Sequence, residues 1–490
     1  MRRLFALSFT LLLLGSSNLP FARQPCIVDA RNAANAFSSL PQQVSDDALA
    51  SVRRLDRAGR GANAALPELS STEHMRRANI YFANRAFAEA REHWQAIIAL
   101  NTNDPNIPSA LFGIGRSYFQ DRRYAESLPF FERAAREYPQ TKDGRESLNS
   151  SAAALLRMGR ASESVARYIE YTEKYPQGER IESAYLNIID SLREAGSPQE
   201  AIEWVARTRQ RFAGKATDTN ALFARLRLDV AEGDWQHAVL TADELRLKPL
   251  FQTGVLTTLP EIIYLKAYSL ERAGRTDEAF TAYLSIPDGI DSYYGGLATA
   301  RLLSISDAAR RSVINERARR AQTEIAASSE LYPVPFRDAI LRTSQARRLD
   351  PRLVLAIMRQ ESQFNPRAKS PASARGLLQL TIDAATKYST RAGLRNLQEL
   401  ELYRPETNIL VGGEYIAELT RLFPDLPEAV AASYNGGEDN VARWVRRARQ
   451  TDAGVFTAEI GFSETKDYVF KVMSNYRAYR QLYTANLIRQ

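Results

Sequence analysis

A four-residue word at constant spacing constrains the fold of this chain more than any other feature. The word follows a turn and usually closes with Glu and then Ala or Ser. Its first five copies are spaced by 37 residues, and a sixth follows after 41. A period in the thirties with this turn chemistry is typical of stacked helix–turn–helix pairs, because each pair can bury its apolar face only against its neighbours. The copies begin at Phe87, Tyr124, Ala161, Pro198, Trp235 and Thr276.

Glycines close the first helix of four of these pairs, since glycine adopts the left-handed conformation at a helix end without steric cost. The units resemble tetratricopeptide repeats, which implies an α-solenoid over residues 77–289. Two roles stay open for it. Its concave face could bind a protein partner or a polymer, or the solenoid could position another domain. The glycines are Gly159, Gly196, Gly233 and Gly274.

Histidine and cysteine are scarce, which limits the chemistry that the chain can perform. The only cysteine is Cys26, and all three histidines precede residue 238. A disulfide framework, a cysteine zinc site and an iron–sulfur cluster are therefore excluded. From residue 238 onward no Ser-His-Asp triad, Cys–His dyad or histidine metal cage can form. We expect no metal and no cofactor, and chemistry based on carboxylates, Lys, Tyr or backbone groups.

The first residues have the pattern of a secretory signal peptide. A basic start precedes an apolar run from Leu4 to Leu14, which is shorter than the about 20 residues that span a bilayer. We predict a signal peptide over residues 1–22 and export to the periplasm, with an N-terminal core helix as the alternative. The net charge of +8 suits a polyanionic partner. Export argues against nucleic acid and favours a cell-envelope polymer, and we expect no integral membrane segment.

Composition divides the rest of the chain into an arm, a connection and a last domain. Residues 23–76 are polar and contain a flexible Gly/Ala/Pro stretch, which predicts a linker or a poorly packed arm. Residues 290–331 are Ala/Arg-rich and predict a helical linker. Prolines at 333 and 335 then mark a boundary, because proline interrupts a helix. Residues 332–490 are predicted to form the last domain.

A glutamate continues the apolar face of a helix in this last domain. Asp350 and Pro351 form a helix start, and Glu361 lies four residues beyond Ile357 on the apolar stripe. Burial there would raise the pKa of the carboxyl, which is how a glycoside-cleaving enzyme keeps an acid neutral. The alternative is that Glu361 ends the helix and meets solvent or an arginine.

Five motifs around and beyond Glu361 suggest what this glutamate does. In order and spacing they resemble the catalytic domain of soluble lytic transglycosylases, bacterial enzymes that cleave peptidoglycan. The resemblance covers about residues 332–485 and implies a lysozyme-like α domain behind an exported helical superhelix, so that the whole chain is all-α. The motifs are Ile357–Pro366, Ala374–Leu380, Asn408–Gly412, Ala432–Gly437 and Ser463–Val469.

The resemblance implies a role for each matching residue, with Glu361 as the single catalytic acid. Structural alternatives stay open for several of the others. Gly376 could serve helix packing, Tyr434 the core, Asn435 a turn, and Glu464 a helix start. The predicted substrate-binding residues are Ser370, Gly376, Leu377, Leu378, Gln379, Tyr434, Asn435, Glu464 and Tyr468.

Four departures from the family pattern bear on the shape of the site. Leu378 replaces a methionine, and Thr381 with its successor replaces a Met-Pro pair. Ser373 stands where a glycine is common. Residues Gly437–Asn440 replace a small Pro/Gly-rich turn with a more acidic sequence. None of these changes removes a proton-transfer group, but they leave the loop shape and the subsite preference open.

The resemblance further implies cleavage of the β-1,4 bond between N-acetylmuramic acid and N-acetylglucosamine without water. Glu361 would protonate the bridging oxygen and then accept the proton of the sugar's own 6-hydroxyl, which closes a 1,6-anhydro ring. Two alternatives remain. One is a goose-type lysozyme-like hydrolase that admits water. The other is a non-catalytic periplasmic repeat adaptor that binds peptidoglycan.

Overall fold

The computed structural model describes residues 46–61, 65–100 and 103–490, so the predicted signal peptide lies outside the described residues. Within these ranges the regular secondary structure is helical, accompanied only by isolated bridges. The prediction of an all-α chain is confirmed. None of the described helices combines the length and the apolar character needed to cross a bilayer.

The polar composition of the segment before the repeats predicts a linker or a poorly packed arm. Where the structure describes this segment, it contains a helix that packs against the repeats. Helix α1 (Asp46–Gly59) buries Leu49 against the first repeat. Its Asp56 is also buried and accepts hydrogen bonds from Arg77 and Tyr81. A polar sequence packs here because the buried carboxylate finds donors inside the interface.

Six packed helix pairs form the repeat region. The second helix of each pair begins at the first residue of the repeated word, so the word marks a helix start after a short turn. The pairs are α2 (Ser71–Ala83) with α3 (Phe87–Leu100), α4 (Ile107–Gln120) with α5 (Tyr124–Glu137), α6 (Lys142–Arg157) with α7 (Ala161–Lys174), α8 (Ile181–Glu194) with α9 (Pro198–Arg211), α10 (Ala216–Glu232) with α11 (Trp235–Leu245), and α12 (Leu259–Arg272) with α13 (Thr276–Leu284).

A residue in the left-handed conformation ends the first helix of every pair. The last four pairs use glycine there, as the sequence predicts, whereas the first two use arginine with nearly the same backbone. The residues are Arg85 (φ 61°), Arg122 (φ 60°), Gly159 (φ 76°), Gly196 (φ 78°), Gly233 (φ 76°) and Gly274 (φ 75°).

Small residues allow neighbouring repeats to stack closely. A Cβ added at Gly113 would lie 2.5 Å from the Trp94 indole, so this approach requires glycine. Completely buried alanines have a similar role along the repeats, because a larger side chain would separate the helices. They include Ala90, Ala110, Ala134, Ala152, Ala184, Ala201 and Ala221.

Two helices connect the repeats to the last domain, in the segment for which composition predicts a helical linker. They are α14 (Tyr293–Ile305) and α15 (Ala308–Ala327). The Tyr294 hydroxyl lies 3.0 Å from a carboxylate oxygen of Glu261 in α12 and 3.0 Å from the hydroxyl of Thr457 in the last domain. This contact joins the repeats, the connection and the last domain in one buried polar cluster.

The last domain is a bundle built around α17, which packs along α23, and the side chains of α17 at its centre are fully buried. Short 3-10 turns lie at Ser329–Leu331 and Glu399–Tyr403. The helices are α16 (Arg337–Arg347), α17 (Pro351–Ser362), α18 (Ile382–Ser389), α19 (Pro405–Leu422), α20 (Pro427–Gly436), α21 (Glu438–Ala448), α22 (Ala453–Ala458) and α23 (Ser463–Leu482).

A buried charge cluster attaches the last domain to the repeats. The Glu459 carboxylate accepts hydrogen bonds from Arg193 of α8 at 2.5 and 3.0 Å and from Arg227 of α10 at 3.2 Å. Arg447 of α21 lies 3.3 Å from the same carboxylate. Asp190 of α8 adds a second negative charge, 3.2 Å from Arg447 and 3.5 Å from Arg227, so the buried charges partly compensate one another. We call Glu459 and the three arginines the Glu459 network.

Candidate functional site

Glu361 lies in the last turn of α17, at the edge of the core. Asp350 caps the start of this helix by accepting a hydrogen bond from the backbone N–H of Arg352, and Pro351 takes the first helical position. Ile357 is fully buried, whereas Glu361 one turn later is half-buried. The helix thus carries the carboxylate from the apolar core to the surface.

Tyr468 holds the carboxylate of Glu361. Its hydroxyl donates a hydrogen bond of 2.6 Å to Glu361 Oε1. The two residues meet, although 107 positions separate them in sequence, because α17 and α23 pack along each other. Glu464 lies one turn earlier on α23, in the first turn, where the helix dipole favours a carboxylate.

Asn408 of α19 fixes the loop between α17 and α18 through hydrogen bonds to its backbone. This side chain is fully buried, donates to the carbonyl oxygens of Arg375 and Leu402, and accepts a hydrogen bond of 2.8 Å from the backbone N–H of Leu378. Gly376 is left-handed, and a Cβ there would lie 2.2 Å from the Leu402 carbonyl oxygen. Only glycine therefore fits at this position.

Three predicted substrate-binding residues lie in the core beneath the site surface: Gly376, Leu377 and Leu378. All three are buried, and the two leucine side chains have no exposed surface. A contact of these residues with substrate would therefore run through their backbone groups. Ser370 closes the loop, since its hydroxyl accepts a hydrogen bond of 3.1 Å from the backbone N–H of Ala374.

Gln379 is fixed by the same loop. Its backbone is left-handed, with φ 46°, and its amide nitrogen donates to the carbonyl oxygens of Ala368 and Gly376 at 3.0 and 2.9 Å. The side chain is half-buried. The amide is thus oriented by the protein before any ligand arrives.

Tyr434 on α20 lies between Glu361 and the loop. Its hydroxyl donates a hydrogen bond of 2.6 Å to the carbonyl oxygen of Leu378, and its ring centroid lies 5.0 Å from that of Tyr415. Burial, together with the nearby Glu361 carboxylate, holds the pKa of Tyr434 well above its usual value. The hydroxyl therefore remains protonated as a donor.

Asn435 follows Tyr434 within α20, so it belongs to a helix and not to the turn that was the alternative. The chain leaves this helix at Gly437, which has a φ of 82°. The Asn435 side-chain oxygen is buried and has no hydrogen-bond partner in the part of the chain that the structure describes. Because such oxygens are usually satisfied, a ligand donor fits here.

A cavity of about 400 Å³ lies between the last domain and the first repeats. Gln379, Tyr434 and Asn435 line one side of it, and side chains from the turns after α2 and α4 and from the end of α6 line the other. Glu361 lies near Tyr434, which lines this cavity, but Glu361 is not itself among the described residues that line it. We call the cavity together with Glu361 the cleft.

Sequence reasoning gave no role to Asn408 or Tyr415. Asn408 is the polar first residue of a motif that otherwise enters the core, and a buried amide needs specific partners, which was the available signal. Tyr415 stacks between Tyr388 and Tyr434, with centroids 5.0 Å from each. A tyrosine at helical spacing does not reveal such a stack.

One oriented carboxylate beside tyrosine hydroxyls and fixed amides can exchange a proton with a bound molecule, as in general acid–base catalysis. Among the described residues, no group of three or more His, Cys, Asp or Glu side chains could hold a metal ion. The arrangement is that of an all-α protein whose helical repeats carry a domain in which one carboxylate, Glu361, is held by a tyrosine hydroxyl near a cavity.

Comparison with known families finds a match within each of the two main parts of the chain. The sequence model described as Transglycosylase SLT domain matches residues 338–456, and the one described as Tetratricopeptide repeat matches residues 75–141. The chain therefore contains a transglycosylase SLT domain behind tetratricopeptide repeats.

Curated relatives share part of this sequence. The soluble lytic murein transglycosylases of Salmonella typhimurium and of Escherichia coli K12 are each 34% identical to this chain over 152 residues. Each match covers 31% of this chain and 23% of the relative. The similarity thus spans less than a quarter of the length of these relatives.

A solved structure shares the fold over most of the chain. The lytic transglycosylase Slt of Pseudomonas aeruginosa, solved as an inactive mutant, gives a TM-score of 0.50 at 20% sequence identity. The match covers 92% of this chain and 78% of that one. At this level of identity the likeness shows the fold alone.

Proposed function

We propose that the chain is a lytic transglycosylase that cleaves peptidoglycan between N-acetylmuramic acid and N-acetylglucosamine. The observation that carries the proposal is Glu361 at the end of α17, which lies near the cavity-lining Tyr434 and accepts a hydrogen bond of 2.6 Å from Tyr468. The match of residues 338–456 to the SLT domain supports it. So do the names of the curated relatives.

The reaction needs one group that gives a proton and later accepts one. Protonated Glu361 donates its proton to the bridging glycosidic oxygen as the bond from that oxygen to the muramoyl anomeric carbon breaks. The 6-hydroxyl of the same sugar then attacks this carbon, and its proton returns to Glu361. The products are a free 4-hydroxyl and a 1,6-anhydro ring, with no water consumed. An intramolecular nucleophile can reach an effective concentration of about 10⁵ M or more when aligned.

The remaining predicted residues orient the sugars in this proposal. The buried oxygen of Asn435 accepts a sugar hydroxyl or amide proton, because it has no hydrogen-bond partner among the described residues. Gln379 presents its amide oxygen, since its nitrogen already donates to backbone carbonyls. Tyr434 fixes the backbone of Leu378, Ser370 closes the loop beside it, and Glu464 neighbours Tyr468 on α23.

We place the enzyme in the periplasm, where peptidoglycan lies. The basic and then apolar pattern of residues 1–22 supports this location. Fractionation of cells that produce the chain with and without these residues tests it. Periplasmic protein is expected only from the longer form, and equal recovery of both forms in the cytoplasm would contradict the placement.

The decisive experiment compares the wild type with Glu361→Gln on purified peptidoglycan sacculi. Loss of the only group proposed to move the proton is expected to lower muropeptide release at least about 10²-fold. Product masses from the wild type should correspond to anhydro sugars, which lack one water relative to hydrolysis products. Glu330→Gln, a change at an exposed glutamate in the connecting turn, is the matched control and should retain full activity.

Each outcome of this comparison has a distinct meaning. Undiminished release by Glu361→Gln would overturn the assignment of the acid. Products that have gained water would replace the transglycosylase with a hydrolase. Binding to sacculi without any release by the wild type would instead indicate a peptidoglycan-binding adaptor.

A further inference from the structure

The turns of the first two repeats contain arginine at a position whose backbone conformation favours glycine. Arg85 and Arg122 adopt the left-handed conformation that glycine adopts in the other four turns. The backbone hydrogen bonds are the same, since the N–H of Arg122 donates to residue 119 at 3.1 Å and the N–H of Gly159 donates to residue 156 at 3.1 Å. This conformation is strained for a side chain with a Cβ, and such strain is often found at functional sites. Another interaction must therefore favour arginine here.

Arg85 reaches the last domain beside Gln379. Its Nε donates a hydrogen bond of 2.8 Å to a carboxylate oxygen of Asp383 in the first turn of α18. Asp383 lies four residues after Gln379. The guanidinium also lies 5.1 Å from the centroid of the Phe87 ring, which limits its freedom. The first repeat is thus tied to the helix that follows the Gln379 loop.

Arg122 reaches the last domain beside Asn435. Its guanidinium lies 2.6 Å from a carboxylate oxygen of Glu438 and 3.7 Å from one of Asp439. Glu438 lies three residues after Asn435. Burial opposes ionisation of Glu438, but the hydrogen bond and charge of Arg122 hold its pKa below the usual value. The second repeat is thus tied to the turn that follows Asn435.

Two weaker contacts accompany these ion pairs. The Ser373 hydroxyl lies 3.5 Å from the side-chain oxygen of Asn84, and the Tyr124 hydroxyl lies 3.5 Å from a carboxylate oxygen of Asp439. Ser373, Glu438 and Asp439 all lie where the sequence departs from the family pattern. Two of the departures therefore coincide with contacts between the first two repeats and the last domain.

We propose that Arg85 and Arg122 are positioning residues. They clamp the loop that carries Gln379 and the turn that follows Asn435 against the repeats, so that the repeats form one wall of the cleft. This inference rests on the proposed transglycosylase function, because positioning matters only if the cleft performs chemistry. The cavity between the two ion pairs is lined by both arginines and by Gln379 and Asn435.

Loss of the clamp should affect turnover more than attachment of the domain. The Glu459 network lies on later repeats and continues to join the two parts when the arginines are removed. A displacement of about 1 Å in a positioning group can cost up to about 10²-fold in rate. Slower turnover with an intact domain interface is therefore the signature of this role.

The test is the double variant Arg85→Gly with Arg122→Gly, which restores at both turns the residue that the other repeats use. On soluble glycan strands we expect kcat to fall about 10-fold with KM changed less than about 3-fold. Hydrogen exchange of the full-length protein should become faster at residues 379–384 and 435–440. Arg123→Ala is the matched control, because the ion pair of Arg123 is with Glu126 in the helix that directly follows it.

Charge exchange separates positioning from simple stabilisation. Arg122→Glu alone should slow turnover and speed exchange, and Arg122→Glu combined with Glu438→Arg should recover a large part of both. Wild-type kcat in the double glycine variant would overturn the proposal, as would unchanged exchange at both segments. If the wild type releases no muropeptides, the proposed function fails, while the exchange data still decide whether the clamp exists.

Discussion

Two buried carboxylates of the last domain show how differently the same side chain behaves in two surroundings. Glu459 is 1% exposed and Glu428 is 5% exposed. Burial disfavours the charge of Glu459, but Arg193, Arg227 and Arg447 outweigh it and lower the pKa to about 2. At Glu428 burial dominates and raises the pKa to about 7, with the Tyr293 hydroxyl 3.4 Å away.

The comparison teaches that the partners of a buried carboxylate, and not burial alone, decide its protonation. Glu459 is fixed in its charged form and joins two parts of the fold. Glu428 lies on α20, the helix that carries Tyr434 and Asn435, and can change its charge near neutral pH. Glu361 is a third case, half-buried and held by the Tyr468 hydroxyl. The same Glu-to-Gln change at each site gives three different expected results.

The largest change in stability is expected for Glu459→Gln. Removing one charge leaves three buried guanidinium groups with less compensation, and breaking a buried pair in this way costs about 3–5 kcal/mol. Urea unfolding at pH 7 measures the free energy of unfolding. Because the folded-state pKa is depressed, the stabilisation is present above about pH 4.5 and is lost as the pH falls toward about 2, so the penalty should shrink in acid.

Glu361→Gln is the control for this result, since the half-buried carboxylate is expected to change the free energy of unfolding by less than about 1 kcal/mol. A Glu459→Gln protein as stable as the wild type at pH 7 would show that the Glu459 network does not hold the domain. Equal destabilisation by both changes would remove the distinction between the two carboxylates.

Glu428→Gln is expected to change how stability depends on pH. The folded state binds the Glu428 proton more tightly than the unfolded state does, so this stabilisation is present below about pH 4.5 and is lost as the pH rises through about 7. The variant should therefore gain up to about 3 kcal/mol relative to the wild type between pH 5 and pH 8. Urea unfolding at pH 5, 6, 7 and 8 measures this difference, and parallel curves would contradict it.

Much of the fold could be predicted from the repeated word alone. Its period marks the starts of α3, α5, α7, α9, α11 and α13, because local turn and helix preferences decide these starts. The left-handed arginines were not predictable in this way, since residue preference points to glycine. The packing of helix α1 against the repeats was missed because its Asp56 is satisfied only by partners that lie in later helices.

The site residues that lie in sequence motifs could be predicted, but the contacts between distant parts of the chain could not. Glu361 and Tyr468 meet across 107 residues; helical spacing singled out Glu361, and the family resemblance supplied its role and Tyr468. The pairing of Arg85 with Asp383 spans 298 residues and depends on how the stacked repeats curve. Curvature accumulates from small rotations between repeats, which hydrophobic spacing does not encode. The wall of the cleft formed by the repeats therefore could not be predicted from the sequence.

Among the changes at or beside the three carboxylates, Tyr468→Phe is expected to have the smallest effect. It removes the hydroxyl that donates to Glu361 at 2.6 Å and leaves the ring in place, so the carboxylate loses orientation but keeps its chemistry. Turnover of glycan strands should fall about 10- to 100-fold, equivalent to about 2 kcal/mol in activation free energy. Tyr476→Phe is the matched control and should retain activity. It removes a hydroxyl of α23, the helix of Tyr468, that donates to Asp350.

If Tyr468→Phe has wild-type kcat, the hydroxyl does not orient the acid, and Glu361 must be held by other contacts. If both variants lose activity equally, the loss reflects the packing of α23 against α17 and not the hydrogen bond to the acid.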